Sequence, residues 1–231
     1  MIRLERTSVM NMDNAIRGMR NPMNSWDRSD SYSTHIENPE TENTEHFAFF
    51  MGDDDLDLAL RLVRSGSDHR KFMRQIFVSV DITAPLYWWK EYDTYKVGTV
   101  ANSCSTLHTI CGRPLTSEDF SAERITSTRA IQLLKYTIDE INENIALYNR
   151  EDDKGAKATY FDNIIQLLPS SFNQMRTCTL DYENLIGMYH ARRNHKLAEW
   201  REFCRWAESL PYAEELICGN HEIRHADNRT I

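Results

Sequence analysis

The chain reads as an α+β protein, dominated by helix and built on a small antiparallel sheet. Three observations predict this. From about Ser127 to Asn149, apolar residues recur at helical spacing through Ile131, Leu134, Ile138, Ile141, Ile145 and Tyr148. Around Phe77–Ile82, Ile76, Val78, Val80 and Ile82 alternate with Phe77, Ser79 and Asp81, the period of a strand. From Tyr182, steps of three and four link Leu185, Tyr189, Arg193, Leu197, Trp200, Cys204 and Ala207, which predicts one face of a long helix over about Leu180–Leu210. Several helices and one clear strand place the chain in the class that packs helices on a sheet.

The elements follow in order. Met1–Met10 has the character of an edge strand and leads to a short helix around Asp13–Arg20. Asn24–Glu45 is polar and aperiodic, which predicts a loop, either a surface excursion or a lid. Asp53 opens a helix that Gly66 ends. Its three leading aspartates, Asp53, Asp54 and Asp55, suit a helix N-terminus better than a metal. Pro85 stands at the first turn of a helix carrying Tyr87, Trp88, Trp89 and Tyr92, an aromatic group that reads as core. Val97–Ile110 is small and polar, a loop with strand character. A helix over Lys157–Leu168 is stopped by Pro169, and a short helix is expected after it. Residues 219–231 read as a polar tail.

At 231 residues the chain is long enough for a sizeable core, and it is read as one domain over 1–231. Its 41% hydrophobic and 27% charged residues are those of a soluble globular protein. A formal net charge of -8 argues against nucleic acid or an anionic membrane as the main partner. No apolar run approaches the ~20 residues of a membrane span, and Met1–Met10 has no signal-peptide core. The five cysteines contain no CxxC pair and read as reduced, mostly buried thiols of a cytoplasmic protein; no metal site is expected.

Phosphate loops, nucleophile elbows and metal-spaced histidine pairs are missing from the sequence. Two features stand out instead. Arg193 interrupts an otherwise apolar stripe, and a guanidinium held against a core needs a carboxylate, carbonyls or a bound anion. Gly98, Thr99, Asn102, Ser103, Ser105 and Thr106 can present hydroxyls and backbone N–H groups to an anion.

Taken in order, these pieces resemble the flavin-dependent thymidylate synthases. The resemblance runs from Gly66-Ser67-Asp68-His69 through the Phe77–Ile82 strand, the aromatic helix and the Asn/Ser loop. It continues to a Leu167-Leu168-Pro169 turn and a helix in which Arg193 precedes Trp200 by seven residues, with Glu199 before the tryptophan. It spans about Gly66 to Leu210. The family signature Arg-His-Arg-x-x-Ser-x-Asn-Glu-x-Ser-x-Arg is matched without gaps by Tyr95–Leu107, where only Asn102 and Ser105 coincide. The basic triplet has become Tyr95, Lys96 and Val97, and the glutamate Ser103; a one-residue shift would pair Thr99 with the first serine. The family's flavin-contacting arginine and asparagine fall at Asn184 and Met188, and a further substrate arginine near Ile165.

The resemblance implies an enzyme in which FAD, reduced by NADPH, helps move a one-carbon unit from methylenetetrahydrofolate to C5 of dUMP or a related pyrimidine nucleotide. Arg193 would be the catalytic guanidinium on the pyrimidine, with Ser103 and Ser105 holding phosphate, and His69, Lys96 and Asn102 contacting flavin. A homotetramer with sites between subunits is also implied. Two alternatives stand beside it. One is a catalytically altered nucleotide-binding or regulatory protein of the same fold; in the other, Arg193 is a structural ion pair.

Overall fold

The computed structural model describes residues 2–36 and 46–219. Among these residues the six strands are β1 (Arg3–Met10), β2 (Tyr32–Ile36), β3 (His46–Phe50), β4 (Phe77–Pro85), β5 (Val100–Ser103) and β6 (Asn173–Asp181). Among the described residues the eight α-helices are α1 (Met12–Met19), α2 (Asp53–Arg64), α3 (Leu86–Tyr92), α4 (Thr106–Thr109), α5 (Thr128–Arg150), α6 (Lys154–Leu167), α7 (Tyr182–Arg192) and α8 (Ala198–Glu208).

The main sheet has the order β1-β4-β6-β5, with every pairing antiparallel. β4 is central because its alternation is the most complete: Val78, Val80, Ile82 and Ala84 are all buried, while Ser79, Asp81 and Thr83 between them are half-buried. β6 pairs with it over its whole length, from Phe77 opposite Asp181 to Pro85 opposite Asn173. β1 is an edge strand with a bulge between Glu5 and Ser8, where Arg6 takes a φ of 53°. β2 and β3 form a separate hairpin.

One hydrophobic cluster joins the sheet to α1, α2, α3, α7 and α8 through Ile16, Val63, Trp88, Leu185, Trp200 and Phe203. Each wholly buried side chain of that size contributes about 1.5–3 kcal/mol of transfer free energy. Trp88, Trp89 and Tyr92 lie within it, as the sequence predicts. A second cluster forms between α5 and α6, where Ile138, Ile141, Ile145 and Ile164 meet Ile110, Leu115 and Phe120. Asn142 holds the incoming loop there, accepting from Leu115 N at 2.7 Å and donating to Leu115 O at 2.9 Å.

Four expectations are corrected. The segment after Pro169 is a strand, not a helix: Thr177 and Thr179 are β-branched, and β4 and β5 offer partners on both sides. The long helix is two helices broken at Arg193–Leu197. His195 Nδ1 accepts from Leu197 N at 3.2 Å, and Arg201 Nη1 donates to the carbonyls of His195 and Lys196, so the break satisfies its own backbone. The apolar period carries across because both helices pack on the same core. Asn24–Glu45 is not a plain loop: it holds a 3-10 turn at Trp26–Arg28 and strand β2, while residues 37–45 lie outside the described residues. Ile131 is exposed, since α5 has its first buried residue at Ile138. The tail beyond residue 219 lies outside the described residues.

The aspartate run also differs in detail. The α2 N-terminus is capped by Asp30, whose carboxylate accepts from Asp54 N at 3.0 Å and Asp55 N at 3.1 Å. Gly52 permits this, because a Cβ there would lie 2.1 Å from the Asp30 carboxyl carbon. Asp55 itself is buried and accepts from Arg20 Nε at 2.5 Å, Ser29 Oγ at 2.7 Å and Ser31 Oγ at 2.6 Å. Although burial opposes its ionisation, those donors hold its carboxyl below the ordinary value.

The five cysteines are free thiols, but only Cys178 and Cys204 are buried; Cys104 is exposed. Among the described residues no helix is long and apolar enough to cross a membrane, and no cluster of metal-binding side chains occurs.

Candidate functional site

Three segments converge on α7. Asp181 starts it with a reciprocal cap, its Oδ1 accepting from Asn184 N at 2.8 Å while Asn184 Oδ1 accepts from Asp181 N at 3.3 Å. The turn that carries His69 is tied to this end by Arg70, which donates to both carboxylate oxygens of Glu183, at 2.7 and 2.9 Å. The loop that carries Lys96 is tied to it by Asn184 Nδ2, which donates to Val97 O at 2.7 Å. Gly98 takes a φ of 78° there, and a Cβ would stand 2.9 Å from both Asn184 Oδ1 and Asp181 Oδ2. The same loop reaches the far end of α7, where Tyr95 OH accepts from Arg192 Nε at 2.9 Å.

Lys96, Asn102 and Ser103 are exposed on this loop and on β5, the sheet's other edge. Ser105 follows, half-buried, its Oγ 2.9 Å from His108 Nδ1. Thus Lys96, Asn102, Ser103 and Ser105 lie on one stretch of chain, the loop and β5. His69 reaches the same helix end only through its neighbour Arg70.

His69 also lines a cavity of about 890 Å³ between α1, α2 and the segment 68–75. Its wall mixes the cations Arg20, Arg28, Arg61 and Lys71 with the aspartates Asp27, Asp54, Asp57 and Asp68, and Arg61 pairs with Asp57 at 3.0 Å. Arg20 is buried against Asp55, yet its Nη2 has no hydrogen-bond partner among the described residues. Sequence reasoning missed this cavity, because its cations come from four separate elements and no local spacing marks them.

Arg193 is not where the stripe predicts. It is exposed at the end of α7, 5.9 Å from the Tyr189 ring centroid, because the helix breaks at that residue. The half-buried guanidinium is that of Arg192, packed over Trp200 at 4.8 Å and Tyr95 at 5.7 Å, with Nη1 donating to Glu91 Oε2 at 2.8 Å. Trp200 Nε1 donates to that same oxygen at 3.0 Å, and His195 Nε2 lies 3.5 Å from it. Glu199 is buried and accepts from Tyr87 OH at 2.5 Å, so it serves packing. Met188 is wholly buried and Ile165 packs against the second cluster.

The fold recurs in solved structures. Thymidylate synthase X from Helicobacter pylori, solved with FAD and dUMP, superposes with a TM-score of 0.67 over 97% of this chain and 100% of its own, at 13% identity. A second structure of the flavin-dependent thymidylate synthase from the same organism, also complexed with FAD and dUMP, gives 0.62 over 93% and 97%, again at 13% identity. This chain has the flavin-dependent thymidylate synthase fold. No protein-family model and no curated protein matches it. Three arginines around the candidate site are paired: Arg70 with Glu183, Arg176 with Asp93 at 2.7 Å, and Arg192 with Glu91.

Proposed function

We propose that this chain is a thymidylate synthase-like enzyme that binds FAD and a pyrimidine nucleotide and transfers a one-carbon unit to the base. The observation that carries this reading is the convergence of the His69 turn and the Lys96 loop on one end of α7, in a fold whose solved examples hold FAD and dUMP. Bound FAD, reduced by NADPH, would supply the redox chemistry for moving the unit from methylenetetrahydrofolate to C5 of dUMP.

The chain's own residues bind and orient. Lys96 offers a point charge on an exposed loop, without the fork of an arginine. Asn102, Ser103 and Ser105 offer amide and hydroxyl groups along β5 for phosphate and sugar oxygens. His69 would contact the flavin from the edge of the neighbouring cavity, where the buried Nη2 of Arg20 has no partner among the described residues. Val97, Val100 and Leu107 are 87%, 71% and 59% exposed beside β5, which suits a site completed by a second copy of the chain in a cytoplasmic homotetramer.

One observation favours a second reading, a nucleotide-binding or regulatory protein of this fold without the redox step. The internal pairing of Arg70, Arg176 and Arg192 occupies three guanidinium forks around α7 that phosphate could otherwise use.

The visible absorption spectrum of the purified protein, before and after FAD and then dUMP, separates the two. A flavin band that stays with the protein and shifts with dUMP supports the enzyme. A colourless protein that ignores FAD but binds dUMP supports the second reading, and one that binds neither ends both.

A further inference from the structure

We propose that α5 pairs with α5 of a second copy of this chain, antiparallel across a two-fold axis, through the exposed stripe Arg129, Leu133, Tyr136 and Glu140. The contact is separate from the β5 edge and does not depend on the nucleotide reading.

α5 is longer than the core it serves. It runs from Thr128 to Arg150, yet its first buried residue is Ile138, so residues 128–137 carry no buried side chain. Leu133 and Tyr136 are 66% and 63% exposed there. Steps of four, three and four place Arg129, Leu133, Tyr136 and Glu140 on one stripe, turned away from the buried Ile138, Ile141 and Ile145. All four are exposed. A hollow of about 610 Å³ over this stretch is lined by Thr128, Arg129, Gln132, Leu133 and Tyr136, all from α5, so its far side is open. Large apolar side chains side by side on such a surface mark a place of contact.

Charge decides the occupant. Residues 128–137 carry Arg129 and Lys135 and no carboxylate, whereas residues 138–147 carry Asp139, Glu140 and Glu143 and no cation. A helix split in this way complements itself only when reversed; a parallel pair would set Arg129 on Arg129 and Glu140 on Glu140. With the axis between Leu134 and Lys135, Arg129 lies level with Glu140 of the second copy, and Leu133 level with its Tyr136. The two-fold symmetry makes each of these pairs twice. Sliding by one heptad instead sets Leu133 on Glu143 and Tyr136 on Glu140, an apolar group against a carboxylate each time. Glu140 is held for its part, since its Oε1 accepts from Asn144 Nδ2 at 3.1 Å. The apolar pairs supply the affinity and the charged pairs fix the register.

Sedimentation equilibrium of the full chain tests the pairing, since one copy weighs 27.1 kDa. The unaltered protein is expected at an even multiple of that mass at micromolar concentration. Leu133→Asp, Arg129→Glu and Glu140→Arg are each expected to halve it. Arg129→Glu combined with Glu140→Arg is expected to restore it, because the exchanged charges meet again across the axis. All these positions are exposed, so circular dichroism should match in every variant; should Leu133→Asp lose helix, the charge exchange decides alone. An unaltered protein at the mass of one copy overturns the proposal. So do single variants that keep the full mass, and so does a double variant that stays at half.

Discussion

Asn184 Nδ2 donates to the carbonyl oxygen of Val97 at 2.7 Å, tying the loop of the candidate site to the first turn of α7 across 87 positions of sequence. Gly98, the next residue, lies so close that a Cβ would press on both Asn184 and Asp181. Gly98→Ala therefore meets a positive φ and a crowded site together. A loss of about 1–2 kcal/mol is expected from the backbone alone, read as a lower denaturation midpoint. An unchanged midpoint would mean the loop is not held on α7.

Asp55 predicts a larger effect. Asp55→Ala strands a buried guanidinium, which costs about 3–5 kcal/mol, measurable by urea unfolding. The carboxyl is held below its ordinary value, so its contribution is present above the unfolded pKa and is lost as pH falls through the folded one. The variant should accordingly show less acid-induced loss than the unaltered protein below pH 3.8; parallel curves would contradict the pairing.

His190 sets a different pH dependence. Burial, then the charges of Arg193 and Arg70, push its pKa below 6.5. Above that value the ring is neutral in both states and adds no pH slope. As pH falls below it, the unfolded chain takes up a proton that the folded chain resists, so stability declines toward the folded pKa. His190→Gln should flatten the change in unfolding midpoint between about pH 7 and about pH 5.5. An identical slope in the variant would sink the prediction.

Ser105 probes the loop directly. If its hydroxyl meets a phosphate, Ser105→Ala should weaken dUMP binding by about 1.5–3 kcal/mol, the value of a hydrogen bond to a charged group. Its side-chain bond is to the exposed His108, so the melting temperature should hardly move. Equal dUMP affinity in calorimetry would remove Ser105 from the site.

Much of the fold was legible because its signals are local. The alternation of Val78, Val80 and Ile82 and the period through Ile138, Ile141 and Ile145 each report on a single element. β6 was misread because its strand state comes from two neighbours far away in sequence, with Asn173–Arg176 only half-buried and no clear alternation. Arg193 was misplaced for a related reason: a helical period continues through a break when both helices face the same core. The order of the segments that carry the resemblance was legible. The Glu91–Arg192 pair and the Arg20–Asp55 pair were not, since each joins residues with no common motif.

The pairing of β4 with β6 has a kinetic consequence. Pro85 meets Asn173 only after the whole run from α3 to α6 has been looped out, and β5 then joins the outer side of β6. Closing so long a loop loses chain entropy before any contact offsets it, so this step belongs among the slow ones. The candidate site is made of β5, its loop and α7, all of which follow or depend on that closure. During synthesis, the N-terminal helices and β4 can gather while the candidate site does not yet exist; that site is assembled only once α7 has left the ribosome.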